Sequence, residues 1–158
     1  MLKIKTVKKG AELVSVKMDD IEKMHDGESF WNRHSPVLFP IVGQLKDGKT
    51  IIENEEYEMS QHGFARDMEF EKIGEHSYVL KANEETKKKY PYDFELYISH
   101  EKHGNKVTTK FKVVNKDSRV MYFGLGGHPA YACEYSSGKY RLEFEDIEDK
   151  LEIYQLEN

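Results

Sequence analysis

Apolar residues recur along the chain with a period of two rather than 3.6. Val107, Thr109, Phe111 and Val113 alternate with Thr108, Lys110 and Lys112, and Phe94, Leu96 and Ile98 alternate with Glu95 and Tyr97. A third run sets Tyr140, Leu142 and Phe144 against Arg141, Glu143 and Glu145. Successive strand side chains point to opposite faces, so each run predicts a short strand with one apolar face. Tyr78 with Leu80, and Leu151 with Ile153, open two more runs. At the start, Lys3 to Val7 reads as a strand, Lys9-Gly10 as a turn, Ala11 to Met18 as the partner strand, and the polar stretch Asp19 to Ser29 as loop. Turn signals separate the runs at Asp47-Gly48, Gly74-Glu75, His103-Gly104-Asn105, Asn115-Lys116-Asp117-Ser118 and Ser136-Ser137-Gly138. Lys87-Lys88-Lys89, after Glu84-Glu85, reads as a solvated turn. Met18 to Met24 is the one weak helical candidate. Many short half-polar strands at close spacing predict an all-β fold of antiparallel sheets, a sandwich or a barrel.

Four stretches break this pattern. Trp31 to Gly43 holds the single tryptophan and an apolar run between Pro36 and Pro40. Prolines spaced in this way exclude a central strand or a regular helix. Trp31 suits either a flat face for a sugar ring or a place in the core. Gln61-His62-Gly63-Phe64-Ala65-Arg66-Asp67 places a histidine four residues before an arginine. Arg66 offers five fixed donors and no base, so it suits hydroxyl groups or a carboxylate. An Arg66–Asp67 structural pair with His62 as a turn residue explains the same stretch. Tyr90-Pro91-Tyr92 reads as an aromatic strand entry without chemistry. Gly124-Leu125-Gly126-Gly127-His128-Pro129-Ala130-Tyr131 presents a histidine on backbone constrained by glycine and proline. An imidazole titrating near pH ~6.5 suits proton transfer there; a spectator in a tight turn is the alternative.

Composition narrows the function classes. A chain of 158 residues fits one domain with a real core. Its net charge of −5 argues against nucleic acid as the main partner. No apolar run approaches the ~20 residues of a membrane-spanning helix, and Met1-Leu2-Lys3-Ile4-Lys5 carries no signal-peptide core. The single cysteine, Cys133, fits a reducing cytoplasm and is expected as a small buried residue. The seven histidines form no metal-ligand spacing, and His100 and His103 read as surface residues of a turn.

Taken in order, Trp31-x-Arg33-x-Ser35-Pro36-Val37-Leu38-Phe39-Pro40-Ile41-Val42-Gly43, His62-Gly63-Phe64-Ala65-Arg66-Asp67, Tyr90-Pro91-Tyr92-x-Phe94 and Gly126-Gly127-His128-Pro129-Ala130-Tyr131 resemble the aldose 1-epimerase (galactose mutarotase-like) family, in its LacX-like bacterial branch. The resemblance runs from about Gly10 to the C-terminus. It implies an antiparallel β-sandwich of which residues 1–158 form a single, partial domain, roughly the N-terminal half of the full fold. It implies interconversion of the α and β anomers of a free aldohexose such as galactose or glucose, by acid and base, with no metal and no organic cofactor. Carried over by position, His128 is the general acid at the ring oxygen and His62 the second catalytic histidine. Arg66 is a donor to substrate hydroxyls, and Trp31 and Arg33 are candidate substrate-binding residues of the cleft.

The family's general base is a glutamate of the C-terminal half, which this sequence does not reach. Glu143, Glu145, Glu148, Glu152 and Glu157 match nothing in that motif. The chain is then one of three things: a piece of a longer epimerase-like protein, a short chain that covers its sheet edges by forming a homodimer, or a carbohydrate-binding module without turnover. Weak or no activity is expected of the isolated chain. Hexose-phosphate epimerisation is a further alternative, which needs Arg33 and Arg66 to cluster.

Overall fold

A computed structural model describes residues 1–133 and 137–140 of the chain. Eleven strands, β1 (Leu2–Thr6), β2 (Leu13–Met18), β3 (Ile21–Glu22), β4 (Val37–Leu38), β5 (Lys49–Ile52), β6 (Glu55–Glu58), β7 (Glu71–Gly74), β8 (Ser77–Lys81), β9 (Phe94–His103), β10 (Lys106–Asn115) and β11 (Gly126–Gly127), carry the described fold. One four-residue helix, α1 (Glu84–Lys87), accompanies them, opened by a capping box between Asn83 and Thr86. Every pairing between these strands is antiparallel, in sheets ordered β1-β2-β3, β10-β9-β8-β7, β11-β4 and β5-β6.

The two-residue alternation sets the central sheet. Along β9, Phe94, Leu96, Ile98 and His100 are buried in alternation with half-buried neighbours. Register places Phe111 opposite Ile98 and Val113 opposite Leu96, so the apolar members of β10 share that face. Tyr78 and Leu80 extend it through β8. The core closes over this face with Phe39, Phe64, Phe70, Tyr90 and Tyr92. Phe39 is fully buried and stacks at tilted or edge angles on Phe64, Phe94 and Tyr90. Tyr90, in the strand-entry turn, donates its hydroxyl proton to the Tyr122 carbonyl at 2.7 Å.

Several expectations are corrected. Met18 to Met24 is no helix: it is the β2–β3 hairpin, turning at Asp19 and Asp20, both at positive φ. Aspartate tolerates that conformation better than most residues. Between Pro36 and Pro40 lies neither a central strand nor a regular helix, as expected, but the two-residue β4, which pairs with β11 in a two-stranded sheet. Lys87 closes α1 rather than a plain turn. Cys133 is exposed, not buried. His100 is not on the surface: it continues the Phe94-Leu96-Ile98 face and is 5% exposed. His103 is exposed, as expected. The run after Tyr140 and the run from Leu151 lie outside the described residues.

An apolar groove of about 520 Å³ lies between β1–β2 and the β9–β10 hairpin, lined by Leu13, Val16, Val107 and Phe111 among others. It includes neither His62 nor His128. Among the described residues no helix is long and apolar enough to cross a membrane.

His100 gives the fold a pH dependence. The Ala11 carbonyl can only accept, so His100 Nε2 donates to it at 2.9 Å and Nδ1 accepts from the Thr109 hydroxyl at 3.0 Å. The Nε2 bond survives protonation, but acceptance at Nδ1 requires the neutral ring. Burial holds the imidazole below its ordinary value, outweighing the Ala11 carbonyl that pulls it upward. Above about pH 6.5 the ring is neutral whether folded or unfolded. Below that, the unfolded chain takes up a proton that the folded one refuses, so stability falls with pH. The Tm should therefore decline between about pH 7 and pH 5, and less so in His100→Gln, whose amide can make both bonds without titrating.

Candidate functional site

The segment from His34 to Pro40 is the spine on which the two histidine-bearing loops hang. On one side, Ala130 N–H donates to the His34 carbonyl at 2.8 Å, His128 N–H to Pro36 at 3.1 Å and Gly124 N–H to Pro40 at 2.7 Å. On the other, the Phe39 carbonyl accepts from Phe64 and Ala65 N–H at 3.0 and 3.2 Å. Gly63 bridges Phe39 in parallel there. Only glycine fits at that bridge: φ is +73°, and a Cβ would lie 2.2 Å from the Phe39 oxygen.

This arrangement brings His62, His128 and Trp31 together. The His62 and His128 rings stand edge-on with centroids 5.7 Å apart, and Trp31 lies 5.1 Å from His128 on a tilted face. His128 is exposed, while His62 and Trp31 are half-buried. His62 occupies a positive-φ position, in keeping with a turn. Its backbone N–H donates to the Gly43 carbonyl at 2.7 Å, and its Nδ1 accepts from Gly43 N–H at 3.0 Å. The second bond fixes the tautomer: with Nδ1 an acceptor, Nε2 carries the proton. Burial, then the neighbouring Arg66 charge, then His128, hold the His62 imidazole below its ordinary value. It is a neutral hydrogen-bond donor near pH 7.

The arginines sit beside this group and are partly engaged. Arg33 Nη2 donates to Asp67 Oδ1 at 2.7 Å. Arg66 Nη2 donates to the Gln61 carbonyl at 2.7 Å, and its Nε lies 3.8 Å from Asp67 Oδ2, beyond hydrogen-bond distance. That Nε is buried without a hydrogen-bond partner. Burial and the Arg33 charge lower the Arg66 guanidinium from its ordinary value, and Asp67 opposes them. Two guanidinium groups therefore share one carboxylate. The Arg66–Asp67 pair expected from the sequence is the weaker of the two contacts; the short one crosses from Arg33.

Sequence reasoning missed three supporting residues. His25 is buried and donates from Nε2 to the Trp31 carbonyl at 2.8 Å, with Phe30 stacked on its ring. Gly43 holds the His62 ring, and Glu12 holds the backbone at His34 and Ser35. Glu12 and His25 interrupt otherwise apolar or loop-like stretches, and no local spacing marks them. Among the described residues no carboxylate is hydrogen-bonded or ion-paired to His62 or His128, and no group of three or more His, Cys, Asp or Glu is placed to hold a metal ion.

Residues 1–156 match the aldose 1-epimerase family model. The chain belongs to the aldose 1-epimerase family. The plasmid form of protein LacX from Lactococcus lactis subsp. lactis is 33% identical, over 88% of this chain and 52% of its own length. Among solved structures, a galactose mutarotase related enzyme from Lactobacillus acidophilus superposes with a TM-score of 0.83 at 39% identity, covering 89% of this chain and 49% of that one. A galactose mutarotase-like protein from Lactobacillus casei ATCC 334 gives 0.78 at 35% identity, over 82% and 47%. The antiparallel β fold is thus of the galactose mutarotase-like type, and the chain spans about half the length of the relatives it matches.

Because both histidine loops are hung on one segment, Gly63→Ala should disturb the site and the fold together. Forcing a side chain into that backbone costs roughly 1–3 kcal/mol in conformation alone. The Tm should drop, and the His62 and His128 ring resonances should shift; a variant that melts as the wild type does would contradict the packing at Phe39.

Proposed function

We propose that this chain carries the acid-bearing, sugar-binding part of an aldose 1-epimerase that interconverts the α and β anomers of a free aldohexose. The observation that carries this is the meeting of His62, His128 and Trp31 in one group from three distant stretches of the chain. Trp31 offers its face to the sugar ring, whose axial C–H groups pack on an aromatic surface. His128 protonates the ring oxygen O5 while a base takes the O1 hydroxyl proton and the C1–O5 bond breaks to give the open-chain aldehyde. Rotation about C1–C2 and reclosure, with the proton transfers reversed, deliver the other anomer. Neutral His62, a donor from Nε2, places O5 by a hydrogen bond without competing for the proton. Arg66 and Arg33 hold hydroxyl groups. Each well-placed proton-transfer group contributes about 10²–10⁴-fold. The base lies outside the contacts made by the described residues, so sugar binding is the property expected of the chain as it stands, in the cytoplasm, with full turnover where a carboxylate completes the site. On the same footing, a homodimer covers the β10 and β7 edges, which end the central sheet among the described residues; a sedimentation mass of one chain at high concentration contradicts that part.

A second substrate class is favoured by a specific observation. Arg33 and Arg66 share Asp67, and Arg66 Nε is buried and makes no hydrogen bond, only a 3.8 Å ion pair with Asp67. One net positive charge with an unused donor suits a sugar bearing a phosphate.

Calorimetric titration with galactose and with galactose 6-phosphate, beside polarimetry of freshly dissolved α-D-galactose, tests the whole. Binding lost in Trp31→Ala, with mutarotation at the buffer rate, fits a sugar site awaiting its base. Mutarotation above the buffer rate that is lost in His128→Ala means that a base is present. Tighter binding of the phosphate, weakened in Arg66→Gln, selects the second class. No binding of either sugar by folded protein overturns the proposal.

A further inference from the structure

Behind the site lies the turn between β1 and β2, which touches both the Arg66 loop and the head of the spine. Gly10, at φ +64°, packs so closely on the Arg66 backbone that a Cβ would lie 2.8 Å from the Arg66 oxygen. Gly10 N–H donates to the Met68 carbonyl at 2.8 Å, and Phe70 N–H to Lys8 at 3.0 Å. The Ala11 carbonyl is held by His100 of β9. The next residue, Glu12, is 9% exposed, and its Oε1 accepts both His34 N–H at 2.7 Å and Ser35 N–H at 2.8 Å. Those two amides open the spine: the His34 carbonyl receives Ala130 N–H, and the Pro36 carbonyl receives His128 N–H.

A buried carboxylate is costly to keep unless its lone pairs are used. Here one oxygen gathers two consecutive amides that β pairing with residues 124–131 leaves unused, and amide–carboxylate bonds are among the stronger hydrogen bonds. The residue following Ser35 is Pro36, which has no N–H to give. The Glu12 carboxylate is thus the only side-chain anchor holding this entry to the spine among the described residues. We propose that Glu12 is a positioning residue of the site: its buried carboxylate fixes the 34–36 backbone, and through the Pro36 carbonyl it sets where His128 stands against His62 and Trp31. Its consequence for function rests on the proposed sugar site. A displacement of about 1 Å in a reacting group costs roughly 10²-fold in rate.

Imidazole resonances of the folded chain test this. In Glu12→Ala the His128 Cε1–H signal should shift and broaden, together with the Trp31 indole signal. The signal of His103, whose ring bonds Glu101 on the β9–β10 hairpin, should stay in place. Glu12→Gln, which keeps an oxygen acceptor, should return His128 close to its wild-type position. Folded Glu12→Ala with an unmoved His128 signal overturns the proposal, as does failure of Glu12→Gln to restore it. If Glu12→Ala does not fold, the wild type decides: His34 and Ser35 amides protected from hydrogen exchange support the anchor, and exchange at the rate of open loops overturns it. Galactose titration of the same samples keeps the two ideas apart. No sugar response in wild type refutes the sugar site while the His128 shift still reports on the anchor.

Discussion

The fold and the site share one constraint: the backbone of residues 34–40 must be paired on both sides at once. Its carbonyls take the amides of Gly124, His128 and Ala130 from one loop and those of Phe64 and Ala65 from another. Prolines at positions 36 and 40 supply no amides of their own, so the segment serves largely as a row of acceptors. Phe39, between them, turns its ring into the aromatic core against Phe64, Tyr90 and Phe94. The same residue therefore anchors the segment by its side chain and receives the His62 loop by its carbonyl. Packing in the central sheet is in this way transmitted to the spacing of two rings at the surface.

Electrostatics follow from that placement. His62 stands near Arg66 and His128 and loses access to water, and all three effects favour the neutral ring. Its Nδ1 is engaged by Gly43, which makes it a donor of defined direction rather than a proton carrier. His128 is exposed, and among the described residues its ring has no such hydrogen bond. Two histidines a few ångströms apart thus differ in their surroundings: the His62 ring is fixed as a donor by Gly43, and the His128 ring is exposed. Arg33, Arg66 and Asp67 add a local excess of one positive charge beside them. In the proposed function this charge and these donors are what a sugar hydroxyl or a sugar phosphate would meet.

Much of this is legible in the amino-acid sequence. Alternation locates β1, β2, β8, β9 and β10, because strands with one buried face must repeat at two residues. The clusters at Trp31, His62 and His128 are visible because glycine, proline and isolated polar residues interrupt that repeat. What escapes depends on contacts remote in sequence. β4 and β11 exist only because each finds the other, and two residues hold no period. His100 looks like a surface residue beside its charged neighbours although it continues the buried side of β9; its partners Thr109 and Ala11 come from other elements. The turn at Asp19-Asp20 escapes because β3 is only two residues long and shows no period of its own. Glu12 carries no local mark at all, since its role is defined by amides that arrive from residues 34 and 35.

The central claim is that His62 and His128 form one pair at the proposed sugar site, with His62 held as a neutral donor. Long-range ¹⁵N correlation of the imidazole rings, recorded with and without an aldohexose, tests it most directly. The account predicts His62 as the Nε2–H tautomer near pH 7, unchanged in tautomer when sugar is added, with both His62 and His128 signals moving along one saturable curve. An Nδ1–H tautomer at His62, or sugar-induced shifts that leave both rings untouched, would contradict it.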